Sequence, residues 1–140
     1  MSSEHHRPVD HPGGQMTAPF WEATARHQLV RPVCGSCGRS IFVPQYLCPH
    51  CGSEDWEYQP SGGRGTVASY TVVHRAPDPR FETPYVVAIV DILEEGWSLM
   101  TNIVGVPGEE VEVGMPVEVS WIEFEGDTLP AFTPRQKVAV

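Results

Sequence analysis

The feature that most constrains this chain is a set of four cysteines, Cys34, Cys37, Cys48 and Cys51, written as C-G-S-C-G and C-P-H-C-G with ten residues between Cys37 and Cys48. A tetrahedral metal ion needs four soft ligands converging on one point, and two C-x-x-C knuckles joined by a short hairpin supply them. Gly38 and Gly52 follow the second cysteine of each pair, where a tight knuckle requires positive φ and close backbone approach. Every cysteine of the chain falls in this stretch, so none is left over as a nucleophile.

Other uses of the cluster fit less well. Two disulfides would suit a small secreted protein, but the opening Met1-Ser2-Ser3-Glu4-His5-His6 lacks the apolar run of a signal sequence. A redox C-x-x-C stands alone beside a strand and helix and does not come as two matched knuckles. Iron in a rubredoxin-type site is the alternative that chemistry leaves open, because tetrahedral sulfur holds either metal. Zinc is favoured, since a closed structural site asks nothing further of the chain. Residues 32–55 are too few to bury a core, so the metal is expected to hold this ribbon folded.

The formal charge is −9, from nine basic and eighteen acidic residues. From Trp56 onward five basic residues face thirteen acidic ones, a balance of −8. Nucleic-acid affinity comes largely from Lys and Arg neutralising phosphates, so this balance argues against a DNA or RNA partner. It equally disfavours an anionic membrane surface. The longest uncharged stretches, Ser40–Ser53 and Gly96–Gly108, are shorter than the ~18 apolar residues a spanning helix requires, so a cytoplasmic location is expected.

Residues 1–17 are rich in Ser, His, Pro and Gly without apolar periodicity and read as a disordered leader. His5, His6 and His11 belong to that tail, where no fixed geometry would hold a metal. Residues 18–31 read as a helix. Thr17 is placed to cap it, Pro19 falls in its first turn, and Phe20, Trp21, Ala25 and Leu29 recur at helical intervals before Pro32. So short a helix must dock, on this chain or on another protein, and Phe20-Trp21 would anchor it. Within the ribbon, Ile41–Pro44 and Tyr46-Leu47 read as strands of a hairpin. Trp56-Glu57-Tyr58 opens the next unit as an alternating strand. The S-G-G-R-G run at Ser61–Gly65 lacks the Lys and Ser/Thr of a phosphate loop and reads as a bend into a sheet.

Beyond it the pattern is all strand: Thr66–His74, Tyr85–Leu93, Trp97–Val104, Val117–Glu125 and Leu129–Thr133. In Val117–Glu125 the apolar parity switches between Trp121 and Ile122, which indicates a bulge or a strand coiling around a barrel. The predicted fold is mainly β: an N-terminal helix, a rubredoxin-like zinc ribbon over 32–55, and a five-stranded OB-fold barrel over 56–137.

Taken together, P-F-W at Pro19–Trp21, the two knuckles, G-R-G-T-V at Gly63–Val67, Y-T-V-V-H at Tyr70–His74, P-Y-V-V-A-I-V-D at Pro84–Asp91, T-N-I-V-G at Thr101–Gly105 and G-M-P-V-E-V at Gly114–Val119 carry a resemblance. The chain is similar to the zinc-ribbon/OB-fold acyl-CoA-associated proteins over 17–134. That resemblance implies a small accessory subunit, not an enzyme by itself, in a hetero-oligomer with a thiolase-fold enzyme. Partners of this kind include lipid-transfer-protein-type thiolases and steroid side-chain aldolases, and a steroid-derived acyl-CoA is the preferred substrate of the complex.

The sequence alone offers little catalytic material: there is no G-x-S-x-G elbow, and a four-thiolate site leaves no open position. The most site-like place is His74 with Arg75 and the following loop. There His74 would orient a water or thioester carbonyl, and Arg75 or Arg80 would pair with coenzyme A phosphates in a pocket shared with the partner. A hydrogen-bonded surface histidine is the plainer reading of the same residue. Asn102 falls in a matching motif as a partner contact, and Phe20, Trp21, Phe81 and Trp97 are the aromatics expected to be exposed at an interface. Two other functions compete: a single-stranded nucleic-acid module, which needs a basic groove, and a rubredoxin-like electron carrier, which needs iron.

Overall fold

A computed structural model describes residues 14–135; the expected leader up to residue 13, with its histidines, and the barrel residues expected at 136 and 137 lie outside them. The helix α1 spans Ala18–Ala25, with Pro19 in its first turn. Thr17 occupies the N-cap position, but its hydroxyl donates to the Gly14 carbonyl at 3.3 Å and does not cap the helix.

The helix is shorter than the apolar spacing predicts. His27 adopts a left-handed conformation at φ 58°, and the N–H groups of His27 and Gln28 return to the carbonyls of Thr24 and Ala23, both at 2.9 Å. This pair of bonds is a Schellman cap, which closes the helix and turns the chain outward. Leu29 therefore reaches the core from beyond the helix, and Arg31 joins a strand instead of the helix C-terminus.

Strands β1, Val30–Cys34, and β2, Trp56–Pro60, form a two-stranded antiparallel sheet running from Val30↔Pro60 to Cys34↔Trp56. The expected boundary at Trp56 thus falls at the start of a strand that pairs with the ribbon. The hairpin strands predicted between the knuckles do not form; among the described residues this stretch contributes an isolated bridge, Val33↔Ser40. Ile41 is buried with Cys34 and Cys48, whereas its neighbour Phe42 turns toward the barrel, and Pro44 has no N–H for a ladder.

The barrel consists of β3 (Arg64–Val73), β4 (Tyr85–Ile92), β5 (Trp97–Ile103), β6 (Pro116–Phe124) and β7 (Asp127–Pro134), closed in the order β3-β4-β5-β7-β6. Alternating side chains fill it: Val86, Ala88, Val90 and Ile92 from β4, Leu99 and Ile103 from β5, with Val67, Val117 and Phe132. Strand β6 pairs with β7 without a register shift and crosses to β3 at Pro116–Glu118, so its change of parity reflects coiling. The irregularity sits in β3, between Val67 and Ser69.

The β5–β7 seam is the weak one, a parallel contact at Ile103↔Phe132. Aromatic side chains from outside the barrel pack over it. Phe20 of α1 lies 5.9 Å from Phe42 of the ribbon, and Phe42 lies 5.0 Å from Trp97 of β5. Phe20 and Trp97 are each 6% exposed, which corrects the expectation that they stand free at the surface.

Polar bonds complete the junction. Glu95, in the β4–β5 turn, accepts from Ser61 Oγ at 2.6 Å, the Gly62 N–H at 2.7 Å and Trp97 Nε1 at 2.9 Å, and its backbone carbonyl accepts from Ser40 Oγ at 2.7 Å. The glycine-rich bend lies beside it. At Gly63, φ is 67° and a Cβ would come within 2.5 Å of Val119 Cγ1, so the position admits only glycine.

Candidate metal centre and neighbouring surfaces

Each knuckle is a backbone turn that aims two sulfurs inward. The Gly38 N–H donates to the Cys34 carbonyl at 2.9 Å and the Gly52 N–H to the Cys48 carbonyl at 2.8 Å, with φ of 76° and 78° at the two glycines. The N–H groups of Cys37 and His50 point at the sulfurs of Cys34 and Cys48, at 3.5 and 3.4 Å. Such donors favour thiolate over thiol. Cys34 and Cys48 are buried behind Ile41 and Trp56, and Cys37 and Cys51 are exposed.

All four Sγ atoms lie within 4.8 Å of one another, with Cys34–Cys51 at 3.6 Å and Cys37–Cys48 at 3.7 Å. A disulfide requires about 2.05 Å, so the pairs are not bridged. Tetrahedral zinc–thiolate bonds of about 2.3 Å place sulfurs about 3.8 Å apart, and the donor set fits that group. The Cys37 N–H, the largest influence on Cys34, holds its thiol down to about 6. On Cys51 the Ser53 N–H pulls the other way, yet the hydrogen bond with Cys34 and the other sulfurs pushes it up to about 12. Sulfur ligands bind a metal as thiolates, so capture of the ion at this cluster would release their protons.

The residues around the other expected site separate. His74 is exposed on an open hollow of about 530 Å³, together with Tyr70, Tyr85, Glu82 and Glu109. Arg75 is exposed at the start of the loop. Arg80 is committed locally: its guanidinium holds Asp78 with Nη2–Oδ2 at 2.6 Å, and this bond takes the Asp78 carboxyl down to about 2. Phe81 is half-buried and stacks on Phe124 at 5.1 Å. Asn102 lies on a different hollow, of about 340 Å³, where α1 and the ribbon meet β5 and β7; Trp21 lines the same hollow. Its Nδ2 donates to the Val86 carbonyl at 2.9 Å. Sequence reasoning missed Glu95, whose only signal was an acidic residue in a turn before a tryptophan.

Comparison with known proteins matches this anatomy segment by segment. Residues 21–57 match the family model described as the ChsH2 rubredoxin-like zinc ribbon domain, and residues 58–121 match the ChsH2 C-terminal OB-fold domain. A solved chain of the Ltp2-ChsH2(DUF35) aldolase superposes with a TM-score of 0.81 and 42% identity, covering 91% of this chain and 98% of that one. The chain belongs to the ChsH2/DUF35 family.

Among curated relatives of this ChsH2-type chain is a probable enoyl-CoA hydratase alpha subunit of Thermomonospora curvata, 46% identical over 82% of this chain. The match spans only 36% of that subunit's length. A DUF35 domain-containing scaffold protein of Methanocaldococcus jannaschii is 38% identical, over 73% of this chain and 74% of its own. No helix among the described residues of the ChsH2-type chain is long and apolar enough to cross a membrane.

Proposed function

We propose that this chain is a non-catalytic accessory subunit that binds, and completes or stabilises, a thiolase-fold aldolase or acyltransferase of the lipid-transfer-protein type acting on an acyl-CoA in the cytoplasm. The observation that carries the reading is the 42% identity and near-complete coverage of the chain solved in the Ltp2-ChsH2(DUF35) aldolase. The side chain of a steroid acyl-CoA is the finer substrate assignment, and it rests on the family resemblance.

The residues support a supporting role. Four converging sulfurs leave a metal no open position, so zinc, when bound, ties the two knuckles together and activates no water. Cys34, Cys37, Cys48 and Cys51 would hold it. All the thiols of the chain would be used in this way, and His74 shares its hollow with Glu82 and Glu109. Those carboxylates repel phosphate, and Arg80 is already neutralised by Asp78, so Arg75 is the better candidate for coenzyme A contact through a site shared with the partner.

The test is complex formation. Light scattering on the purified chain mixed with a lipid-transfer-protein-type thiolase subunit should give a hetero-oligomer carrying one zinc per copy of this chain. A mixture that elutes as its separate components, or a chain that cleaves acyl-CoA unaided, contradicts the reading.

A further inference from the structure

Strand β4 carries apolar side chains on both of its faces. Val86, Ala88, Val90 and Ile92 fill the barrel, while the alternate residues Val87 and Ile89 face outward. The register flanks Val87 with Thr71 and Asn102, and sets Met100, 72% exposed, beside Ile89. The outer face of an antiparallel sheet in contact with water alternates to polar residues, whereas a strand apolar on both sides is one covered on both sides. Val87 and Ile89 are half-buried between their neighbours on β3 and β5, and among the described residues no further helix or strand packs extensively against β4.

The strip continues across β5 to its seam with β7. Met100 and Asn102 also line the 340 Å³ hollow between α1, the ribbon and the β5–β7 seam, whose lining includes Val43, 64% exposed. A second hollow, of about 230 Å³, lies over Val87, Ile89 and Met100. No charged residue lines either hollow, although the chain carries a net −9. An uncharged apolar centre inside a charged surface has the make-up of an interface core.

We propose that this strip, from Val43 across Met100 to Val87 and Thr71, is the face on which the thiolase-fold subunit docks; the assignment of that occupant rests on the function proposed above. Charge separates it from the obvious competitor. A second copy would bring another −9 against the first, so self-association is opposed by long-range repulsion. A different subunit with an apolar contact surface and a neutral or basic rim meets no such barrier.

Met100 and Val43 are exposed enough for substitution without disturbing the core, so each is replaced by glutamate in the full chain. Leu93 and Val113, 73% and 67% exposed and outside the strip, take the same change as controls for added charge. Affinity for the thiolase-fold subunit is measured by calorimetry, and fold and zinc content are checked on each variant. Met100→Glu and Val43→Glu should weaken binding roughly tenfold or more, because each strands a charge in a desolvated contact. Leu93→Glu and Val113→Glu should stay within about twofold. Strip variants that bind as wild type does, or controls that lose as much, overturn the placement while leaving the subunit reading intact. A wild-type chain that binds no such subunit removes the reading and the proposal together, and a homodimer broken by Met100→Glu assigns the face to a second copy instead.

Discussion

The Arg31 guanidinium lies 3.3 Å from the Glu95 carboxylate and so ties the metal-binding ribbon to the barrel. Both side chains are largely shielded, at 18% and 16% exposure. Arg31 also donates through Nε to Ser40 Oγ at 3.0 Å and bonds the Pro60 carbonyl. Glu95 is the hub, since donors from the ribbon, the bend and β5 all converge on it. Replacing it with alanine leaves several shielded donors without an acceptor. Glu95→Ala should cost about 2–3 kcal/mol and lower the melting temperature by roughly 5–10 °C, read by calorimetry.

The same carboxylate sets an acid limit. Burial raises the Glu95 pKa, but its hydrogen bonds from Ser61, Gly62 and Trp97 and the Arg31 charge outweigh this and leave it lowered. A folded-state pKa below the unfolded one gives stability that is present above about pH 4.3 and is lost as pH falls through the folded value. Wild type should therefore lose stability below about pH 4.3 more steeply than Glu95→Gln, which cannot titrate there. Urea unfolding from pH 3 to pH 6 at matched zinc content checks the difference in slope.

Gly63 tests the bend. A methyl group there would meet Val119 Cγ1 at 2.5 Å on a backbone already at φ 67°. Gly63→Ala should destabilise by about 2 kcal/mol or more, whereas Gly114→Ala, with open space around its Cβ, should show only the cost of its own positive φ, about 1 kcal/mol.

Metal removal should act locally. The ribbon's own core is small, namely Cys34, Ile41 and Cys48 with Trp56 against them, while the barrel core is independent of the sulfurs. Chelation should release amide protection from 30–60 while the β4 and β5 amides remain protected, as read by hydrogen exchange. Collapse of protection in β4 at the same chelator concentration would show that the metal holds the whole fold.

The ribbon and the five barrel strands were legible because their signals are local: matched cysteine spacing, β-branched runs and glycine-punctuated turns. The end of the helix was not. Leu29 continues the helical spacing, yet His27 takes a left-handed cap and the chain leaves the helix to pair as β1 with β2, a partner more than twenty residues away in sequence. The hairpin predicted at Ile41–Leu47 failed for a related reason, since Phe42 is drawn to Phe20 and Trp97 and not to a strand neighbour. The same contacts bury two aromatics expected at the surface, because the sequence does not reveal that β5 and β7 barely pair. Glu95 was invisible because its partners lie as much as 64 residues away in sequence, at Arg31. In the metal centre, by contrast, all four sulfurs meet as their spacing implies.

The claim on which this account turns is that the chain completes another enzyme. Its most direct test is a titration of this chain into a fixed amount of lipid-transfer-protein-type thiolase subunit, with acyl-CoA cleavage followed throughout. The account predicts little or no turnover by either protein alone, and a rise in rate that saturates at a fixed ratio of the two. A rate that is already full without this chain, and is unchanged by adding it, would contradict it.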